Sequence, residues 1–274
     1  MLSMATRSQV FDIDCKLAYT LPATTDFLFQ IHALDGIDQA VASESLRMSP
    51  SAQQRVYADP HVGHRFLRVQ AKPGNFQVRY KARVRVERPK SNVRAEELPI
   101  AALPDEVLHN LMPTRYCESD LLGPASLKLF GALPRGFSRV QAISDWIRRN
   151  VDYRIGSTDT TTTACDVFLR RAGVCRDFAH LGVTFCRALN IPARLAVGYS
   201  IFASPPADFH AMFEAYLGGR WELFDPTHLS APADMVRIAV GRDAKDVAFS
   251  TIFGAAMTRT ILPLIKRVPV ASTK

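Results

Sequence analysis

The chain is expected to fold as an α+β protein in which a helix bearing a cysteine packs on an antiparallel sheet bearing a histidine and an aspartate, preceded by a β-rich domain. Three observations predict this: an apolar helical run that starts at Cys175, a two-strand alternation that holds His210 and Asp225, and strand-like runs over residues 9–30 and 64–88.

In the helical run, Phe178, Leu181, Phe185 and Leu189 recur at helical spacing, with Ala179, Val183 and Cys186 on the adjoining stripe. Asn190 and Pro192 stop it, because proline cannot continue the hydrogen-bond ladder and restricts the residue before it. Cys175 is thereby placed in or just before the first turn, where unpaired backbone N–H groups and the positive end of the helix dipole favour a thiolate and later an oxyanion.

From His210 the residues alternate, with His210, Met212, Glu214 and Tyr216 on one face and Ala211, Phe213, Ala215 and Leu217 on the other. Gly218 and Gly219 read as the turn, and Trp221 to Asp225 as the return strand. If Leu217 pairs with Arg220, His210 and Asp225 are diagonal neighbours on one face, with backbones roughly 7–8 Å apart, a gap their side chains can close. A one-residue slip would place them on opposite faces. Cys175, His210 and Asp225 thus read as a nucleophile, its base and the group that orients the base. The backbone N–H of Cys175 is the natural first donor to an oxyanion. Spacing assigns no second one, although the region of Tyr153 is among the places that can supply it.

GVCRDFAH, DFHAMFEAYLGGRWELFDPTH and the preceding DYRIGSTDTTTTACDVFLRRAGVC closely resemble bacterial transglutaminase-like proteins, over about residues 138–255. FLRVQAKPGNFQVRYKARVRVE looks like the β-rich leading domain of that family. The resemblance implies a papain-like core and thiol-dependent acyl transfer at an amide, with Cys175, His210 and Asp225 as the matched triad. Hydrolysis by a peptidase or amide hydrolase is the expected outcome. Transfer of a glutaminyl acyl group to an amine is the alternative, and a non-catalytic interaction module that keeps the fold is a third.

Other polar residues have structural readings. Asp177 and His180 point about 200° and 140° away from Cys175 on helical geometry, so capping or a buried hydrogen bond suits them, and His228 is similar. Cys15, Cys117, Cys165 and Cys186 read as core thiols. No CxxC or HExxH spacing occurs, so no metal or cofactor is expected. Five cysteines at irregular spacing argue for a reducing compartment. Neither a secretory leader nor a membrane span is evident, and cytoplasm is the expected location. The net charge of +8 owes much to RYKARVRVERPK, read as one half-buried strand with a solvated basic face. The expected partner is a peptide, protein or other amide, with no nucleic acid and no membrane.

The expected domains are 1–95, β-rich; 96–137, a connector; and 138–274, catalytic. Pro73 to Asn75 predicts a hairpin turn. Ser138 with Gln141 matches a capping box for a helix buried through Val140, Ile143, Trp146 and Ile147. Thr163 is a cap for a short helix Ala164 to Arg171. Strands are expected over Ala193 to Ile201, Val236 to Val240 and Val247 to Phe253, and the segment Ser204 to Asp208 is expected to border the cleft.

Overall fold

A computed structural model describes residues 6–36, 38–60, 63–202 and 207–269. In chain order its elements are β1 Thr6–Leu21, β2 Thr25–Phe29, β3 Gln39–Ser49, β4 Gln53–Ala58, β5 Arg65–Ala71, β6 Gly74–Pro89, α1 Gly123–Phe130, α2 Phe137–Asn150, β7 Asp152–Tyr153, α3 Ala164–Arg170, β8 Ala172–Gly173, α4 Cys175–Ala188, β9 Ala193–Ser200, β10 Phe209–Leu217, β11 Arg220–Phe224, β12 Met235–Gly241, β13 Ser250–Phe253 and β14 Met257–Val268. The α+β class is as expected.

The N-terminal strands form two facing antiparallel sheets, ordered β14-β1-β6-β3 and β13-β2-β5-β4. Aromatic rings fill the space between them: Tyr19 meets Phe27 and Phe29 with centroids 5.0 and 6.1 Å apart, and Phe27 meets Phe76 at 5.7 Å. β6 alternates between buried Phe76, Val78, Tyr80, Ala82, Val84 and Val86 and an exposed basic face, as its period-two pattern predicts. That face is ion-paired across the ladder, Arg79 to Asp14 at 2.6 Å and Arg83 to Asp12 at 2.7 Å.

Two expectations fail here. β5 and β6 do not form a hairpin; they lie in different sheets, and the Pro73 turn carries the chain across the sandwich. Turn chemistry is local, whereas the choice of partner strand is made by the apolar faces that must meet. The second concerns the stretch 138–274, expected to lie in one domain. Its last two strands instead pair antiparallel with the N-terminal ones, β13 with β2 and β14 with β1 along Val10↔Val268 to Thr20↔Met257. The edges of two twisted sheets otherwise present unpaired backbone groups, and these strands cover one edge of each.

The second half is a four-stranded antiparallel sheet, β11-β10-β9-β12, with α4 across one face. α2 starts at Phe137 after Gly136 at φ 108, and Ser138 and Gln141 form no capping box. Glu97 takes that role from the connector, accepting from the Gly136 N–H at 2.9 Å and pairing with Arg139. Thr163 does cap α3, in a capping box with Asp166, and Arg171 closes that helix in the left-handed region. The predicted strand Val247 to Phe253 is ordered as a strand only from Ser250. The connector is shorter in loop than expected, because it contains α1 and a 3-10 helix over Asp105–Leu111. No helix among the described residues is long and apolar enough to cross a membrane.

α4 is held down by aromatic packing. Phe185 sits edge-on to Phe130, Trp146 and Phe168, with centroids 5.2–5.9 Å away. On the sheet side Gly182 faces the ring of Phe213, and a Cβ at Gly182 would lie 2.6 Å from two ring carbons. The substitution Gly182→Ala sets two effects against each other: helix propensity gains about 1 kcal/mol, while overpacking a filled core costs about 1–3 kcal/mol. A net loss of stability is expected in urea unfolding, because the atoms in the way belong to the fully buried Phe213 ring; a gain would show that α4 can lift freely from the sheet.

Candidate active site

Val174 is extended, with φ −114 and ψ −179, and α4 begins at the next residue. Cys175 therefore occupies the first helical position, where its N–H has no partner within the helix. The turn is locked by Asp177. Its Oδ2 accepts the Val174 N–H at 2.9 Å and the Thr158 hydroxyl at 2.6 Å, and Arg176 donates to Oδ1. The carboxylate is fully buried, so its role is the capping one expected. His180 is equally structural: its Nε2 accepts from the Ala244 N–H at 3.0 Å, and its ring stacks on Tyr116 at 5.4 Å. Burial pushes it down to about 3, a neutral imidazole.

β10 and β11 pair in the predicted register, Leu217↔Arg220 through Phe213↔Phe224. The extrapolated diagonal is realised, with His210 Nε2 2.9 Å from Asp225 Oδ2. The carboxylate is fixed from all sides. Oδ1 accepts the Thr227 N–H at 2.9 Å and the Thr227 hydroxyl at 2.6 Å, and Oδ2 also accepts the Ser230 N–H at 3.0 Å. Burial alone would raise Asp225, but the His210 hydrogen bond and charge, together with Thr227 and Ser230, hold it below the usual carboxylate range.

Cys175 also lies near the His210 ring, close enough to favour its charged form. The ring is 1% exposed and Phe202 lies against it at 5.4 Å. Burial opposes its positive charge, yet Asp225 and Cys175 outweigh that and raise His210 to about 10. Cys175 is half-buried, and its Sγ lies 3.9 Å from the Phe209 carbonyl. The other thiols differ. Burial first of all pushes Cys15, Cys117 and Cys165 up to about 12, and Cys186 upward as well, so they stay protonated. The five cysteines are all free.

Spacing left one neighbour unassigned. Tyr153 is carried to Cys175 by the short parallel bridge Tyr153↔Gly173, and its ring packs on Phe178 at 5.8 Å. Its phenol lies beside Cys175 and is affected by both the backbone N–H and the side chain of that residue. Burial first, then its electrostatic interaction with Cys175, pushes the phenol upward, against the pull of the Cys175 N–H, so it stays protonated. Only the polar–aromatic pair at the end of a helix hinted at this in the sequence.

His228, at φ 55, faces Asp145 at 3.4 Å, not the thiol. Among the described residues no group of three or more His, Cys, Asp or Glu is placed to hold a metal ion. Residues 203–206, which contain most of the segment expected to border the cleft, lie outside the described residues; Asp208 just beyond them accepts the Phe209 N–H at 2.7 Å.

The family model of the transglutaminase-like superfamily core matches residues 129–226, and that of the bacterial transglutaminase N-terminal domain matches residues 9–106. A solved structure from Cytophaga hutchinsonii, described as a "putative cysteine protease", is 39% identical, with a TM-score of 0.92 over 97% of this chain and 93% of that one. An uncharacterized protein of Mycobacterium leprae is 30% identical over 166 residues, 58% of this chain. The match spans 59% of that relative's length. An uncharacterized protein of Mycobacterium bovis is 43% identical over 54 residues, 20% of this chain and 17% of the relative.

In 15N-labelled protein the His210 ring is expected to stay doubly protonated through pH 8, whereas His180 stays neutral to below pH 5. Replacing Asp225 by Asn should bring the His210 transition down by about one to three pH units. Because its folded-state value is raised, His210 adds stability that is whole below pH 6.5 and lost as pH climbs towards 10.

Proposed function

Since the chain belongs to the transglutaminase-like superfamily, we propose that it is a cysteine-dependent amide hydrolase acting on peptide bonds or related amides through Cys175, His210 and Asp225. The observation that carries this reading is the His210 ring, set between the Asp225 carboxylate and a half-exposed thiol at a helix N-terminus.

In the first step the Cys175 thiolate attacks the carbonyl carbon and the C=O electrons move onto oxygen. That oxygen is received by the Cys175 N–H at the helix start and by the Tyr153 hydroxyl, which lies beside Cys175 and stays protonated. His210, charged and held by Asp225, gives its proton to the amide nitrogen as the C–N bond breaks. A thioester on Cys175 and a free amine result. His210, now neutral, takes a proton from the second nucleophile as it attacks the thioester carbonyl; the C–S bond then breaks, releasing the acyl product and the Cys175 thiolate beside a recharged His210.

Water as that nucleophile is favoured by the openness of the site. A groove of about 430 Å³ leads away from Tyr153 with Ile155, 71% exposed, in its wall. An enclosed apolar channel would instead have favoured transfer to an amine. The description of the Cytophaga hutchinsonii protein as a cysteine protease agrees with hydrolysis. The half-exposed thiol and the His210 hydrogen bond weigh against an interaction module without chemistry. The free state of all five thiols fits a reducing compartment such as the cytoplasm.

Iodoacetamide is expected to label Cys175 fast and the four other thiols slowly, read by mass spectrometry, with Cys175 labelling slowed in His210→Ala. Equal, slow labelling of all five thiols would remove the basis for the reading. On a substrate found by peptide screening, Cys175→Ala should abolish turnover. Tyr153→Phe should lower kcat by about 10²-fold with KM little changed, as for loss of one oxyanion donor. Product analysis with added methylamine separates hydrolysis from transfer: acid as the main product supports the former, methylamide the latter.

A further inference from the structure

The groove beside Tyr153 has a chemical bias that the triad does not explain. One end lies next to the proposed triad: Tyr153, in the lining, is bridged to Gly173 two residues before Cys175, and Thr227, also in the lining, holds the Asp225 carboxylate. Phe178, Leu229 and Ile155 make its walls apolar, and Arg148 and Arg154 add two guanidinium groups. Among the described residues no acidic side chain lines it.

Neither arginine is committed to the fold. Arg148 is exposed at the end of α2 and has no hydrogen-bond or ion-pair partner among the described residues. Arg154 reaches only Asp152, on its own segment, at 3.2 Å, with side chains 65% and 74% exposed. A pair so exposed contributes little and exchanges readily for another carboxylate. The protein's structural arginines are bound quite differently. Arg187, for instance, is buried and donates to the carbonyls of Ala193, Met112 and Arg242. Two uncommitted cations over an apolar wall, next to a nucleophile, match a substrate segment with a short apolar stem that ends in a carboxylate.

Resting on the cysteine-hydrolase reading, we propose that this groove selects acidic peptides: the residue flanking the scissile amide on the Tyr153 side carries a carboxylate that Arg148 and Arg154 bind. The apolar stem lies along Ile155 and Leu229. The preference is electrostatic and therefore falls with salt.

The test separates binding from chemistry. Cys175→Ser protein is titrated with two fluorescein-labelled peptides identical except for Glu or Gln beside the amide, and anisotropy is read at low salt and at about 0.5 M NaCl, where the screening length is a few ångströms. The Glu peptide is expected to bind about five- to tenfold more tightly at low salt, equivalent to roughly 1 kcal/mol. High salt should erase that preference. In the same background Arg148→Ala with Arg154→Ala should bring the Glu peptide to the affinity of the Gln peptide and leave the latter unchanged. Equal affinities, a preference that survives the double substitution, or no binding of either peptide at millimolar concentration would each overturn the proposal. Preference in binding without turnover by the parent protein would sustain the groove and sink the hydrolase reading; turnover without preference would do the reverse.

Discussion

The close seating of α4 on β10 is the contact on which the site depends. Gly182 has no side chain where the Phe213 ring lies, so the helix approaches the sheet more closely than any larger residue would permit. The aromatic cluster around Phe185 presses from the other side. With the helix fixed at that depth, its first residue is level with the start of β10, and the thiol meets the imidazole. Asp177 performs the complementary task at the helix start, binding Val174 and Thr158 so that the turn before Cys175 cannot fray. Cys175 and His210 are thus placed by residues outside the proposed triad.

What could be read from the chain beforehand follows from how local each determinant is. α4 declares itself through its own apolar stripes and its stop at Asn190 and Pro192, and the β10–β11 register follows from a two-glycine turn. Together those fix Cys175, His210 and Asp225. Tyr153 could not be assigned because its approach to Cys175 depends on a two-residue bridge between segments that only the tertiary fold brings side by side. The Pro73 turn misleads for a related reason, since a turn motif does not say whether the next strand joins the same sheet or the opposite one. β14 was missed because it is mostly exposed and shows little alternation. Its partner is almost the whole chain length away.

Between the sandwich and the catalytic sheet lies a set of buried charges. Arg237 bridges Asp38 of the N-terminal half and Glu214 of β10, Arg194 completes Glu214 at 2.6 Å, and Arg88 reaches Asp38 and the carbonyls of Pro232 and Met235. Burial lowers Arg88 to about 10, and the Arg237 charge adds to that effect. Such a network is weak evidence for net stability, but removing one member strands the others out of water at a cost of several kcal/mol. The two halves are therefore not modules that hinge freely. Glu214 stands on the same strand as His210, so that strand is tied directly to the N-terminal half.

The return of β14 to β1 also bears on how the molecule comes into being. β1 is made first and β14 last, so during synthesis the first sheet stands with an open edge until residues 257–268 leave the ribosome. The sandwich cannot mature as an independent leading unit ahead of the catalytic sheet. A nascent chain can already contain Cys175 and His210, yet still lack the strand that closes the N-terminal sheet. Synthesis of β14 thus becomes part of the assembly of the molecule, and a chain halted before it would leave the β1 edge of the sandwich unpaired.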